Sequence, residues 1–131
     1  MKILITALTW KKAGEVRRLL EIGGHEVLSE SSALEGLRTA VRERPEVMVL
    51  EQELPDYPGI EVLRRARKIL PGIRVIIVLR YNFASVRKKM LAAGAWEVFS
   101  SAMSAAECAE AIQNRPEGFN QPRSALEKAV F

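Results

Sequence analysis

Pro45-Glu-Val-Met-Val-Leu-Glu-Gln-Glu-Leu-Pro-Asp-Tyr-Pro-Gly-Ile-Glu-Val-Leu63 places an apolar strand, a proline-bearing loop and the start of an amphipathic helix in direct succession. Glu46 to Glu51 is almost wholly apolar and rich in Val, the composition of a strand covered on both faces. Beyond the loop, Ile60, Leu63, Ala66 and Ile69 recur at helical spacing and predict one inward face, which ends at Pro71-Gly72. A carboxylate, Glu51, stands where the strand ends. A two-sided strand feeding a helix is half of a parallel crossover unit, so the fold turns on whether the unit repeats.

It repeats along the whole chain. Lys2 to Leu8 is an apolar run of strand length, followed by Thr9 as a candidate N-cap and a helix to about Ile22 with Ala13, Val16, Leu19 and Leu20 inward. Gly23-Gly24 stops that helix, and His25 to Leu28 forms a second strand. Ser32-Ala-Leu-Glu35 is a capping box for a helix expected to present Leu34, Leu37 and Val41. The Ile- and Val-rich run Arg74 to Leu79 is the fourth strand, Ala84 to Ala93 the fourth helix, and Trp96 to Ser100 the fifth strand. A second capping box, Ser104-Ala-Ala-Glu107, opens a helix through about Gln113. Five such units with short connections imply right-handed crossovers and an α/β, doubly wound, five-stranded parallel sheet of order 2-1-3-4-5, a flavodoxin-like (βα)5 arrangement. Its ligand crevice is expected at the carboxyl ends of strands 1 and 3. Residues 1–113 form this domain, and 114–131 read as a tail or linker, where Pro116, Gly118 and Pro122 precede a short helix at Ser124-Ala-Leu-Glu127.

The 131 residues, 48% of them hydrophobic, suit one domain with one core. A lone Cys108 allows no internal disulfide and points to a reducing compartment, with the cytoplasm as the expected location. No apolar run reaches the roughly 20 residues that span a bilayer, so no membrane association is expected. The net charge of +4 is uneven: from Val62 to Trp96 there are nine basic and no acidic residues, leaving 11 basic against 16 acidic elsewhere. That stretch reads either as a solvated face on two helices or as a surface for an acidic partner or a phosphate backbone. His25 has no Cys or second His near it in sequence, and Glu53 and Asp56 read as solvated loop acids, so no metal site is expected. No Gly-rich loop follows strand 1, and no cofactor or enzymatic activity is expected.

Glu51 with Pro55 and Gly59 behind it, and Gly94-Ala95 before strand 5, make residues 2 to 113 resemble the receiver domains of two-component response regulators. The resemblance implies that an Asp at the position of Glu51 takes a phosphoryl group from a histidine kinase. It also implies a magnesium ion held by two acids after strand 1, a Thr or Ser after strand 4, a Lys-Pro pair after strand 5, and an aromatic signalling residue within strand 5. The metal neutralises the repulsion between phosphoryl oxygens and the carboxylate nucleophile. In this chain the acidic pair falls on Ala7 and Leu8, the hydroxyl on Arg80, the Lys-Pro pair on Ser101-Ala102 and the aromatic on Val98. The expectation is a degenerate receiver, a pseudo-receiver that acts by phosphorylation-independent protein-protein interaction. A nucleic-acid-associated regulator using the basic third and fourth helices, or a fused output module, is the alternative. Glu51 reads either as a strand-end carboxylate in solvent or on backbone N–H groups, or as an imitation of the acyl phosphate paired with Arg80. Self-association through helix 4, strand 5 and helix 5 is also expected, with Met90, Trp96, Val98 and Met103 as candidate interface residues.

Overall fold

Strands and helices alternate along residues 1–113, the part of the chain described in this computed structural model. In chain order they are β1 (Lys2–Thr6), α1 (Ala13–Ile22), β2 (Glu26–Glu30), α2 (Ala33–Glu43), β3 (Val47–Glu51), α3 (Gly59–Ile69), β4 (Arg74–Leu79), α4 (Ala84–Ala92), β5 (Glu97–Ser100) and α5 (Ala105–Gln113). The strands form one parallel sheet in the order β2-β1-β3-β4-β5, as the repeated apolar runs predict. The short helix expected at Ser124–Glu127 lies outside the described residues.

Alternate residues of the central strands feed two cores. Leu4, Met48, Leu50, Val75, Ile77 and Leu79 pack with Leu63, Ala66 and Met90 of α3 and α4. On the other face Ile3, Ile5, Val49, Ile76 and Val78 meet Val16 and Leu20 of α1 and Cys108 and Ile112 of α5. Each fully buried aliphatic side chain contributes about 2 kcal/mol by leaving water. Burial pushes the Cys108 thiol up to about 11, so it packs as a small apolar group and not as a nucleophile. Among the described residues no helix is long and apolar enough to cross a membrane.

Several helix faces differ from the expected ones. In α2 the residues against the sheet are Ala33, Gly36, Thr39 and Ala40, while Leu34 and Val41 point outward. The reason is close packing: a Cβ on Gly36 would lie 2.7 Å from the Thr6 side chain, leaving no room there for a large residue. In α3, Val62 is buried and Ile69 is half exposed, while Leu70, the residue just past the helix end, is buried. Thr9 does not cap α1, whose N-cap is Lys12. Both serine caps form, with Ser32 Oγ accepting from Glu35 N at 3.2 Å and Ser104 Oγ accepting from Glu107 N at 3.1 Å.

Candidate functional site

Strands β1, β3 and β4 end at the same edge of the sheet, so the loops that follow them meet there. Glu51, the last residue of β3, is only 7% exposed and turns its carboxylate toward the β1–α1 loop. Oε2 accepts from Leu8 N at 2.7 Å and from Thr9 N at 3.1 Å, and Oε1 accepts from the Thr9 hydroxyl. These are charge-assisted bonds to a nearly buried anion, stronger than neutral ones. Thr9 is therefore a ligand of Glu51, a role invisible to helix-start patterns because its partner lies 42 residues away.

Arg80 does not form the expected ion pair with Glu51. Its Nη2 donates to Thr9 Oγ1 at 3.1 Å, and its Nη1 lies 3.9 Å from Glu53, an exposed pair of little energetic weight. The Thr9 hydroxyl thus stands between the two charges, accepting from Arg80 and donating to Glu51. On the far side, Ser101 Oγ donates to Arg80 O at 3.4 Å, and Lys12 Nζ donates to Ser101 O at 3.2 Å and Met103 O at 2.7 Å. A cleft of about 450 Å³ remains between these loops, bordered by Trp10, Lys11, Glu53 and Arg80.

Asp56 is not a merely solvated acid. Its carboxylate accepts from Ala33 N at 3.0 Å and Leu34 N at 2.9 Å, capping α2 from the β3–α3 loop while Ser32 serves the next amide. Those two backbone bonds hold the Asp56 carboxyl below its ordinary value of 3.8. A carboxyl depressed in the folded state stabilises above its unfolded value, and that contribution is lost as pH falls through the folded value. Asp56→Ala should therefore lower the urea midpoint at neutral pH, and the gap to wild type should close below about pH 3.8. Equal midpoints at pH 7 would show that the cap carries no stability.

Gly59 opens α3 against the strand end. Its N–H donates to Gln52 O at 2.8 Å, and a Cβ there would lie 2.8 Å from Gln52 Cα and 3.2 Å from Glu51 O. Only a residue without Cβ lets the helix start this close to the acidic strand end.

A magnesium ion does not fit this donor set. The side chains of Ala7 and Leu8 carry no oxygen, and both oxygens of Glu51 already accept from the 8–9 loop. Among the described residues no three His, Cys, Asp or Glu side chains converge on a point.

Residues 12–113 match the response regulator receiver domain. The chain belongs to that family. Receivers are the signalling domains of two-component systems, and this one is 28% identical over 90 residues to sporulation initiation phosphotransferase F of Bacillus subtilis, covering 69% of this chain and 73% of that protein. It is 29% identical over 92 residues to the transcriptional activator protein ExaE of Pseudomonas putida, covering 70% of this chain and 43% of that protein. Apart from the phosphotransferase, the relatives it matches are longer proteins of which the chain spans less than half. A receiver domain of the CheY-like kind from Methanospirillum hungatei superposes with a TM-score of 0.78 at 28% identity, covering 86% of this chain and 90% of that one.

Within the receiver, the expected interface residues lie elsewhere than at the surface. Met90, Trp96 and Val98 are each at most 5% exposed and belong to the two cores, leaving Met103 as a half-buried neighbour of the second. Their apolarity serves packing. The basic stretch is partly consumed as well. Arg64 pairs with Glu61, and Arg87 donates to Val98 O at 2.9 Å and lies 3.5 Å from the buried carboxylate of Glu97. His25 lies at the opposite edge of the sheet, where its Nδ1 is 3.0 Å from the Met1 amine.

Proposed function

We propose that this receiver works as a pseudo-receiver, binding a partner protein without passing through a phosphorylated state. The observation that carries the reading is the engagement of both Glu51 oxygens: Leu8 N, Thr9 N and the Thr9 hydroxyl all donate to them. A nucleophilic carboxylate must present a free lone pair to phosphorus, with a cation to offset the charge repulsion. Here the longer side chain carries the carboxylate into the β1–α1 loop, and Ala7 and Leu8 bring no oxygen with which to hold a metal.

Three further features support the same reading. The position after β4 is Arg80, which reaches Thr9 instead of offering a hydroxyl to a phosphoryl oxygen. Ser101 stands where a receiver Lys is expected, and the cation near that loop, Lys12, comes from the start of α1 and is spent on carbonyls of Ser101 and Met103. The loops after β1, β3, β4 and β5 are thereby tied to one another by the protein's own groups, so binding-competent geometry needs no added charge.

Incubation with magnesium and acetyl phosphate, followed by intact-mass measurement, tests the proposal. The expected result is an unmodified chain under conditions that fully phosphorylate an ordinary receiver run in parallel. A stoichiometric phosphoryl group on Glu51 or Asp56 would overturn it.

A further inference from the structure

Tyr81 and Phe83, in the loop between β4 and α4, are 61% and 63% exposed, the most exposed aromatic side chains among the described residues. Their rings stack on each other with centroids 6.2 Å apart and an interplanar angle of 29°, and neither belongs to a core cluster. Phe83 also occupies the N-cap of α4 and makes no cap bond there, a place where Ser, Thr, Asp or Asn would satisfy an orphan amide. The sequence thus gives up both burial and capping at this loop. Two large rings left in water without a structural return mark an interaction surface.

The surroundings extend that surface. Arg80 Nη2 on Thr9 Oγ1 ties the aromatic loop to the β1–α1 loop, where Leu8 is 54% exposed. On α4, Lys88 and Lys89 are exposed and form no ion pair with a described residue, and no acid occurs from Val62 to Trp96. We propose that Tyr81, Phe83 and Leu8, with Lys88 and Lys89 at the rim, form a docking surface for an acidic segment of a partner protein that also carries large apolar side chains. This rests on the function proposed above and names the chemistry of the partner.

Magnitude decides against the other anionic candidates. Arg80 and Arg87 are spent on Thr9, Glu53, Glu97 and Val98 O, leaving Lys88 and Lys89 as the exposed cations of α4, the helix that Phe83 opens. Nucleic-acid affinity rests on the number of phosphates neutralised along a basic groove, and two contacts supply little of it. Central aromatic anchors with a small charged rim are the composition of a protein-binding patch.

A displayed library of short random peptides, selected against the full chain, tests this. Enriched peptides should carry Asp or Glu beside Leu, Ile, Phe or Trp. A synthetic representative should bind the wild-type chain at least about tenfold more tightly than Tyr81→Ser/Phe83→Ser, the loss expected for two hot-spot rings. Lys88→Glu/Lys89→Glu should weaken the same peptide, which keeps the test open should the aromatic variant fail to fold. Peptides without acidic enrichment, or peptides that bind the folded aromatic variant as well as wild type, would overturn the proposal. So would ring-dependent binding of oligo(dT), of phosphatidylserine vesicles or of a second copy of this chain. Phosphoryl transfer to Glu51 would defeat the proposed function while leaving the peptide result standing, so the two failures are distinguishable.

Discussion

Glu51→Leu should lower the stability of the domain by about 3 kcal/mol at neutral pH, because it leaves the N–H groups of Leu8 and Thr9 and the Thr9 hydroxyl without their acceptor. Each bond to a charged acceptor is worth about 1.5–3 kcal/mol, and the sum is reduced by no longer burying the carboxylate itself. Urea unfolding with an unchanged slope would measure the loss. The geometry also fixes where the coupling lies. Glu51→Gln and Thr9→Val touch one bond and should show an interaction energy of about 1 kcal/mol in a double-mutant cycle. Glu51 and Arg80 meet only through the Thr9 hydroxyl, so their coupling should disappear, within about 0.5 kcal/mol, once Thr9 is Val. A Glu51→Leu chain as stable as wild type would show that the carboxylate is idle and would remove the main support for the function proposed above.

Gly59→Ala is the second large effect, an expected loss of about 2–3 kcal/mol from overpacking. The added carbon would meet the Gln52 backbone at 2.8 Å, and backbone cannot turn aside as a long side chain can. Gly14 offers the control: in α1 a Cβ there meets nothing within 4 Å, and Gly14→Ala should stabilise by about 0.5 kcal/mol through the unfolded chain. Thermal unfolding of the two variants side by side checks both signs. Equal stability of Gly59→Ala and wild type would mean that α3 can withdraw from the strand end at no cost.

The parts of this molecule that sequence discloses are those whose cause is local. The Val- and Ile-rich runs of β3 and β4 are buried on both faces because helices cover both sides, and continuous apolarity is the direct record of that. Where causes are distant, the pattern misleads. Leu34 and Val41 carry the spacing of an inward stripe, yet small residues face the sheet because α2 sits against Thr6. Met90, Trp96 and Val98 suggest surface anchors only until the sheet and its helices close over them. At the carboxyl edge, the departures at Ala7, Leu8, Arg80 and Ser101 from the pattern that the resemblance implies can be seen residue by residue. The bonds that take their place cannot: Thr9 to Glu51 and Lys12 to the β5–α5 loop join positions 42 and 89–91 residues apart. The aromatic pair at Tyr81 and Phe83 leaves a trace in composition, but only exposure distinguishes it from core.

The cap of α2 has a bearing on the order in which this chain assembles. The helix lies between β2 and β3, whereas the carboxylate that receives its first two amides is Asp56, beyond β3. A chain emerging from the ribosome as far as Glu51 already holds every residue of α2 but leaves the Ala33 and Leu34 amides to water. The first turn gains its acceptor only when β3 has joined β1 and the following loop folds back, closing a loop of 22–23 residues whose entropy must be met first. The start of α2 is thereby completed by the same loop that leaves the centre of the sheet, through a long-range contact that helix propensity alone would not suggest.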